Sequence, residues 1–251
     1  MRPVPRLKGR SPMPAPFNPR QSIVAVIGRN EAGYDRQFLG TGSLIGDGTI
    51  LLTADHVLAN WPVGRYSIYV NDVERDITGT FAAEVLERDP QHDLALLRVE
   101  GYQTPFPLTL HFDGQWAYND QMITFEYSTT RVTGNNVVMN PAARLGHITR
   151  FYDDHLPGRE DLIVDVYELS WPALKGASGA PLLFATPDDR GGQVLGVIIA
   201  NKEHHLSPAF IETILREDNS QMEQTLYMLP LGLAVDIRHV REMYERVAAG
   251  S

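Results

Sequence analysis

The chain contains no cysteine among its 251 residues. That absence excludes a disulfide framework and any thiolate metal site, and it removes the mark of adaptation to an oxidising compartment, so a cytoplasmic location is expected. Positive charge is scarce as well: 22 Lys and Arg stand against 31 Asp and Glu, a formal net charge of −9. Affinity for nucleic acid needs clustered cations that displace counterions from phosphates, so no nucleic-acid partner is expected. Long hydrophobic runs are also missing. No segment approaches the ~20 apolar residues that span a bilayer, and the leader MRPVPRLKGRSPMPAPFNPRQ is basic and proline-rich without the continuous apolar stretch of a signal peptide. The expectation is no membrane partner, no export by the usual signal, and an extended Pro-rich arm over residues 1–21.

Core material is ample. With 43% hydrophobic residues, a chain of this length can bury about 70–75% of its unfolded surface, as one large domain or two small packed lobes. From Gln21 onward short β-branched and apolar runs alternate with Gly, Asp and Asn: residues 22–28, 38–46, 49–54, 66–70, 94–99, 122–127, 142–151, 161–169, 180–184 and 193–200 read as strands. Gly46, Asp47 and Gly48 between two of them form a hairpin signal, because glycine accepts the positive φ such turns demand. Many short strands with turns between them indicate an all-β sandwich or a pair of barrels. Helical periodicity is clear near the end, where Ile237, Val240, Met243, Tyr244 and Val247 fall on one stripe behind a candidate N-cap, Asp236. Ser207 and Pro208 start a second expected helix, over residues 207–217.

The stretch KGASGAPLL (175–183) packs small residues around one hydroxyl. Taken alone it reads as a tight turn leading into a strand. Serine becomes a nucleophile at neutral pH only beside a general base, usually His, which in turn needs an acceptor that fixes its tautomer. The chain supplies candidates for both: ILLTADHV (50–57) sets His56 at the end of an apolar strand, and HDLALL (92–97) sets Asp93 before another. Singly, each reads as a structural or turn residue. Their order, His then Asp then Ser, changes the weighing.

In these motifs the chain resembles the chymotrypsin-like (trypsin-fold) serine protease family over residues 22 to about 248. GSLIGDGTILLTADHV (42–57) resembles the family's paired strands and Thr-Ala-x-His element, HDLALLRV (92–99) its aspartate strand, and GASGAP (176–181) its Gly-x-Ser-Gly-x-Pro loop. The resemblance implies an all-β fold of two six-stranded antiparallel barrels, the first over about 22–115 and the second over about 116–233, with a C-terminal helix over about 236–249. It implies a serine endopeptidase acting on a protein or peptide substrate, with His56 as general base, Asp93 as its orienting partner and Ser178 as nucleophile. The backbone N–H groups of Gly176 and Ser178 would form the oxyanion hole. The primary pocket would be lined by Pro172, Ala173, Ile199, Ala200 and Asn201, with extended substrate pairing along 199–201. No acidic residue falls there, so neutral, small to medium side chains are expected rather than Arg or Lys.

Two departures matter. Ala177 stands where zymogen-activated relatives carry the Asp that pairs with a freshly cut amino terminus, so that activation route is excluded, and the chain looks like a bacterial, disulfide-free member. Val57 stands where many secreted relatives carry a stapling Cys. Control by an activating partner that orders loops near 150–160 or 201–225 is expected instead. His204 and His205 are adjacent and so point apart, with no third ligand evident; no metal and no cofactor are expected. His92 is set aside as base because neighbours on a strand face opposite sides. An α/β-hydrolase is excluded because its elbow places Gly two residues after the Ser, where this chain has Ala180, and its His follows the Ser. The remaining rival is a silent or latent trypsin-fold module that holds peptides without cutting them.

Overall fold

The computed structural model describes residues 18–118, 120–133, 136–156, 159–186, 190–205, 211–216, 219–224 and 228–250. The expected arm over residues 1–21 lies outside them except for its last four positions, where Pro19–Gln21 form a single 3-10 turn.

The first lobe is a closed barrel of six antiparallel strands: β1 (Ile23–Arg29), β2 (Asp35–Ile45), β3 (Ile50–Ala54), β4 (Arg65–Asp72), β5 (Ile77–Asp89) and β6 (Leu94–Val99), in the order β1-β2-β3-β6-β5-β4. It closes where β4 returns to β1, with Ala25 opposite Tyr69. β1 is buried at six of its seven positions and β3 at all five, because one face points into the barrel and the other is covered; such strands read as continuous apolar runs. The β2–β3 turn follows the glycine signal, with Gly46 at φ +62° and Gly48 at φ +85°. β5 alternates exposed and half-buried residues. A helix of five residues, α1 (Asp55–Ala59), leaves β3.

The second lobe contains β7 (Met122–Glu126), β8 (Arg131–Thr133), β9 (Asn136–Val138), β10 (Ala142–Gly146), β11 (Ile148–Leu156), β12 (Arg159–Leu169), β13 (Pro181–Phe184), β14 (Val194–His205), β15 (Ile211–Arg216), β16 (Asn219–Gln224) and β17 (Met228–Asp236). Seven of these form one sheet in the order β10-β7-β13-β14-β17-β12-β11. Its two ends are consecutive in the chain, separated only by His147. The segment 142–156 is thus one strand broken at a single residue, and the sheet closes on itself through the covalent chain. At the break, Ser170 Oγ accepts from His147 N and Ser170 N donates to His147 O, each at 3.0 Å. β8–β9 and β15–β16 are separate two-stranded ribbons.

The expected helix over 207–217 is not formed: residues 211–216 are strand β15, paired with β16 from Ile211–Gln224 to Arg216–Asn219, and residues 207–210 and 217 lie outside the described ones. Ile211, Thr213 and Ile214 are β-branched and favour the pleat over a helix. The C-terminal helix forms in two pieces, a 3-10 turn over Ile237–Val240 and α2 (Arg241–Ala249), with Asp236 accepting from Arg238 N at 2.8 Å. Ile237, Val240 and Met243 are buried, while Tyr244 and Val247 are half-buried.

The connection between the lobes binds both. Leu108 makes a parallel bridge to Ile45 and Leu110 one to Val194, and Tyr127 OH donates to Ile23 O at 2.9 Å. No described helix is long and apolar enough to cross a membrane.

Candidate active site

α1 begins without a side-chain cap, since the side chain of Ala54 carries no oxygen. The orphan N–H groups of its first turn need acceptors, and Asp93 provides them: Asp55 N donates to Asp93 O at 3.0 Å and His56 N to Asp93 Oδ1 at 2.8 Å. The second carboxylate oxygen, Oδ2, lies 2.7 Å from His56 Nδ1. One aspartate therefore grips His56 by backbone and ring together, which puts the ring proton on Nδ1 and leaves Nε2 facing out as the acceptor. Asp93 takes φ +55° to do so, a left-handed conformation that Asp tolerates better than most residues. The imidazole is 38% exposed and the carboxylate 16% exposed, so the ring is reachable while its partner is sheltered. Next to His56, Asp55 is buried and takes a fork from Arg88, at 2.5 Å to Nε and 3.0 Å to Nη2. This pair anchors α1 to β5, and its hydrogen bond raises the Arg88 pKa above the ordinary range.

Ser178 sits on the turn between residue 174 and β13. Gly176 and Gly179 hold φ +96° and +84°. A Cβ on Gly176 would collide with the Phe38 ring, and one on Gly179 with Thr41 O and Thr53 Oγ1. Glycine is therefore required twice, for backbone sign and for close approach. Among the described residues neither Gly176 N nor Ser178 N donates to a protein acceptor, and the turn is held instead by Ala177 N to Leu174 O at 2.8 Å and Gly179 N to Ile198 O at 2.7 Å. Ser178 Oγ donates to Ile199 O at 3.3 Å, and among the described residues it makes no hydrogen bond to His56. The structure thus joins His56 to Asp93 directly, and packs the Ser178 turn against residues 53–54 without that last hydrogen bond.

Thr41, on β2, is a residue the sequence motifs passed over. It is fully buried. Its Oγ1 donates to Gly176 O at 2.9 Å and accepts from Tyr127 N at 3.2 Å; its N–H donates to Ser178 O at 2.9 Å; and its carbonyl accepts from Thr53 Oγ1 at 2.7 Å. Both carbonyls flanking the free amides are thus pinned by one side chain and its backbone, where Ala177 offers no ionic anchor. The signal in the sequence was the triplet Gly40-Thr41-Gly42, since glycines inside a strand mark close approach of another backbone.

Of the expected pocket residues, Ala173 and Asn201 meet most directly. Ala173 N donates to Asn201 Oδ1 and Asn201 Nδ2 donates to Ala173 O, both at 2.7 Å. Ile199 falls at a register shift between β14 and β17. Pro172 precedes the bridge and Ala200 lies between Ile199 and Asn201. His92 lies in a turn rather than on a strand, and is occupied: its Nδ1 is 2.6 Å from Asp89 Oδ2 and its ring stacks on His239 at 4.2 Å. No group of described residues has the geometry of a metal site. The backbone of His204 and His205 pairs with Leu229 and Met228.

Residues 40–197 match the family model for the trypsin-like peptidase domain. No curated protein matches the chain. Among solved structures, it is similar to the HtrA-type protease AlgW with a decapeptide at 14% identity and TM-score 0.62, over 92% of this chain and 65% of that one. It is similar to the MamO protease domain from Magnetospirillum magneticum at 16% identity and TM-score 0.57, over 90% and 96% of the two chains. The Rv3671c protease from M. tuberculosis in its active form aligns at 21% identity and TM-score 0.56, over 96% and 92%. At these identities the structural likenesses show the fold. The family match, spanning well over half the sequence, carries the assignment: the chain belongs to the trypsin-like peptidase domain family of serine endopeptidases.

Proposed function

We propose that this chain cleaves peptide bonds through an acyl-enzyme intermediate, with Ser178 as nucleophile, His56 as general base and Asp93 as the group that orients it. The observation carrying this is the double grip of Asp93 on His56, at 2.8 and 2.7 Å, next to a glycine-bounded turn with two unengaged amides. Ser178 Oγ leaves Ile199 O, gives its proton to His56 Nε2 and attacks the substrate carbonyl. Relinquishing one long hydrogen bond costs about 0.5–1.5 kcal/mol, small beside the barriers of acyl transfer. The imidazolium is stabilised by Asp93, and the negative charge on the tetrahedral oxygen by the N–H groups of Gly176 and Ser178, where each donor contributes about 3–4 kcal/mol. His56 then returns the proton to the leaving amine, and water reverses the sequence to release the acid.

The Asn201–Ala173 bridge crosses between the two expected pocket walls, which supports a preference for small, neutral side chains before the scissile bond. Hydrolysis of a proteome-derived peptide library by wild type and by Ser178→Ala tests activity and preference together. Cleavage lost in Ser178→Ala and clustered after Ala, Val or Ser fits the proposal; cleavage after Arg or Lys, or equal cleavage by both proteins, contradicts it.

The hydrogen bond from Ser178 Oγ to Ile199 O favours a second reading, a latent enzyme that a partner switches on. The absence of cysteine and of the zymogen ion pair supports an intracellular setting in which such a partner acts. High peptidase activity of the isolated chain, unchanged by cell extract, would rule latency out.

A further inference from the structure

The peptide-binding surface has a second half. Beside Gly176 lies a cleft of about 470 Å³, lined by residues 37–39, 128, 130–133 and 175–176, with no residue of β14 among them. None of the residues expected in the primary pocket contributes to it. A peptide whose acyl part lies along residues 199–201 and whose carbonyl meets the Gly176 amide must continue into this cleft with its leaving-group part. The walls include β2 of the first lobe and β8 of the second, so both lobes shape it.

Its charge is one-sided. Arg131 and Lys175 line it, both exposed, and no lining residue is acidic. In a chain of net charge −9 cations are generally claimed by carboxylates, as in Arg29–Asp35, Arg88–Asp55, Arg190–Asp120, Lys202–Asp154 and Arg246–Glu87. Arg131 and Lys175 form no ion pair among the described residues. The carboxylates nearest in sequence, Glu126 to Arg131 and Glu168 to Lys175, are fully buried and held by Arg144 and Arg150, so they do not cancel them. A polyanion such as nucleic acid would meet repulsion from the acidic remainder of the surface, whereas one or two carboxylates on a short peptide would not.

We infer that the leaving-group cleft selects a carboxylate shortly after the scissile bond, so that the substrates of this site are peptides with Asp or Glu at the first few leaving-group positions, or with a free C-terminus there. The inference rests on Ser178 being the nucleophile, which sets the direction of the peptide. Exposed ion pairs are weak singly, so two together give about a 5- to 10-fold preference at low ionic strength. Screening erodes it as salt rises.

The test is binding of fluorescent peptides to Ser178→Ala by anisotropy, paired with hydrolysis of the same peptides by wild type. The set varies the leaving-group positions only, with Asp/Glu, Asn/Gln or Lys/Arg, each as C-terminal amide and as free acid. Expected are tighter binding and higher kcat/KM for acidic amides, weaker binding for basic ones, loss of the contrast between about 0.05 and 0.5 M salt, and its loss in Arg131→Gln/Lys175→Gln. A gain from the free acid alone supports the carboxylate site and places it at the substrate's end. Equal binding of the three charge classes at low salt, or a contrast that survives the double substitution, overturns the inference. Charge-selective binding to Ser178→Ala without hydrolysis by wild type would leave the cleft assignment standing and contradict an isolated chain that cuts by itself, in favour of the latent reading.

Discussion

Replacing Thr41 by Val keeps the side chain's shape and removes one oxygen. That oxygen serves Gly176 O at 2.9 Å and Tyr127 N at 3.2 Å inside a fully buried site. If the backbone stays in place, two buried polar groups lose their partner at about 1–3 kcal/mol each. For a domain of this size, that total of about 2–6 kcal/mol lowers Tm by roughly 5–20 °C. If instead the turn shifts as a whole so that Gly176 O reaches water, stability falls less and the N–H of Gly176, on the preceding peptide, loses its aim. Misdirecting one such donor reduces kcat by about 10²-fold, with KM little changed because the charge it meets develops only in the transition state. Thr41→Ser restores both hydrogen bonds and removes one methyl, so it should keep kcat within about threefold of wild type and lose about 1 kcal/mol of stability. The assay is steady-state hydrolysis of a neutral peptide well below the Tm of each protein, beside a thermal melt. Thr41→Val with wild-type kcat, whatever its Tm, would refute the claim that this hydroxyl positions the oxyanion donors.

Other substitutions separate the remaining parts of the site. Asp93→Asn should retain the fold, because Asn tolerates the left-handed φ of +55°, and should lower kcat by about 10⁴ through loss of the correct imidazole tautomer; a fall below tenfold would argue against the orienting role. Asn201→Ala removes the bridge to Ala173, so kcat/KM for Leu or Phe before the scissile bond should rise by about tenfold relative to Ala, and an unchanged ratio would show that the bridge does not limit the pocket. Burial, then the stacked His92, hold the His239 pKa below the ordinary histidine value, against the pull of Asp236 and Asp89. A depressed folded-state pKa gives stability that is complete above the unfolded value of about 6.5 and is lost as pH falls below it. Tm should therefore drop on acidification from about pH 7.5 to about pH 5.5, with a shallower drop in His239→Gln; superimposable curves would dismiss His239 as the source.

Strands buried on both faces were legible because their apolar runs are continuous, as in residues 23–27 and 94–97. β5 was not read: it is half-exposed along its length and mixes Gly, Ala and charged residues, so its alternation is weak and its pairing with β4 and β6 decides its state. β15 reads as a helix from the sequence because Ser207 and Pro208 are good start signals, whereas its strand state depends on pairing with β16. Residues 142–151 read as one strand; the break at His147 comes from Ser170, 23 residues away. His56, Asp93 and Ser178 stood out through local motifs, each carried by a few consecutive residues. Thr41 did not: the glycines on either side of it signal that another backbone comes close, but its partner Gly176 is 135 residues distant and the triplet does not say which segment approaches. The charge of the leaving-group cleft is similarly non-local, assembled from Arg131 on β8 and Lys175 on the turn before Ser178.

The claim at the centre is that Ser178, His56 and Asp93 act as one unit. Its most direct measurement is mass spectrometry of the chain after exposure to a fluorophosphonate, with the adduct mapped by peptide and its rate compared between wild type and His56→Ala. A single adduct on Ser178 that forms far more slowly without His56 is the predicted result. An adduct on another serine, none at all, or the same rate in both proteins would contradict it.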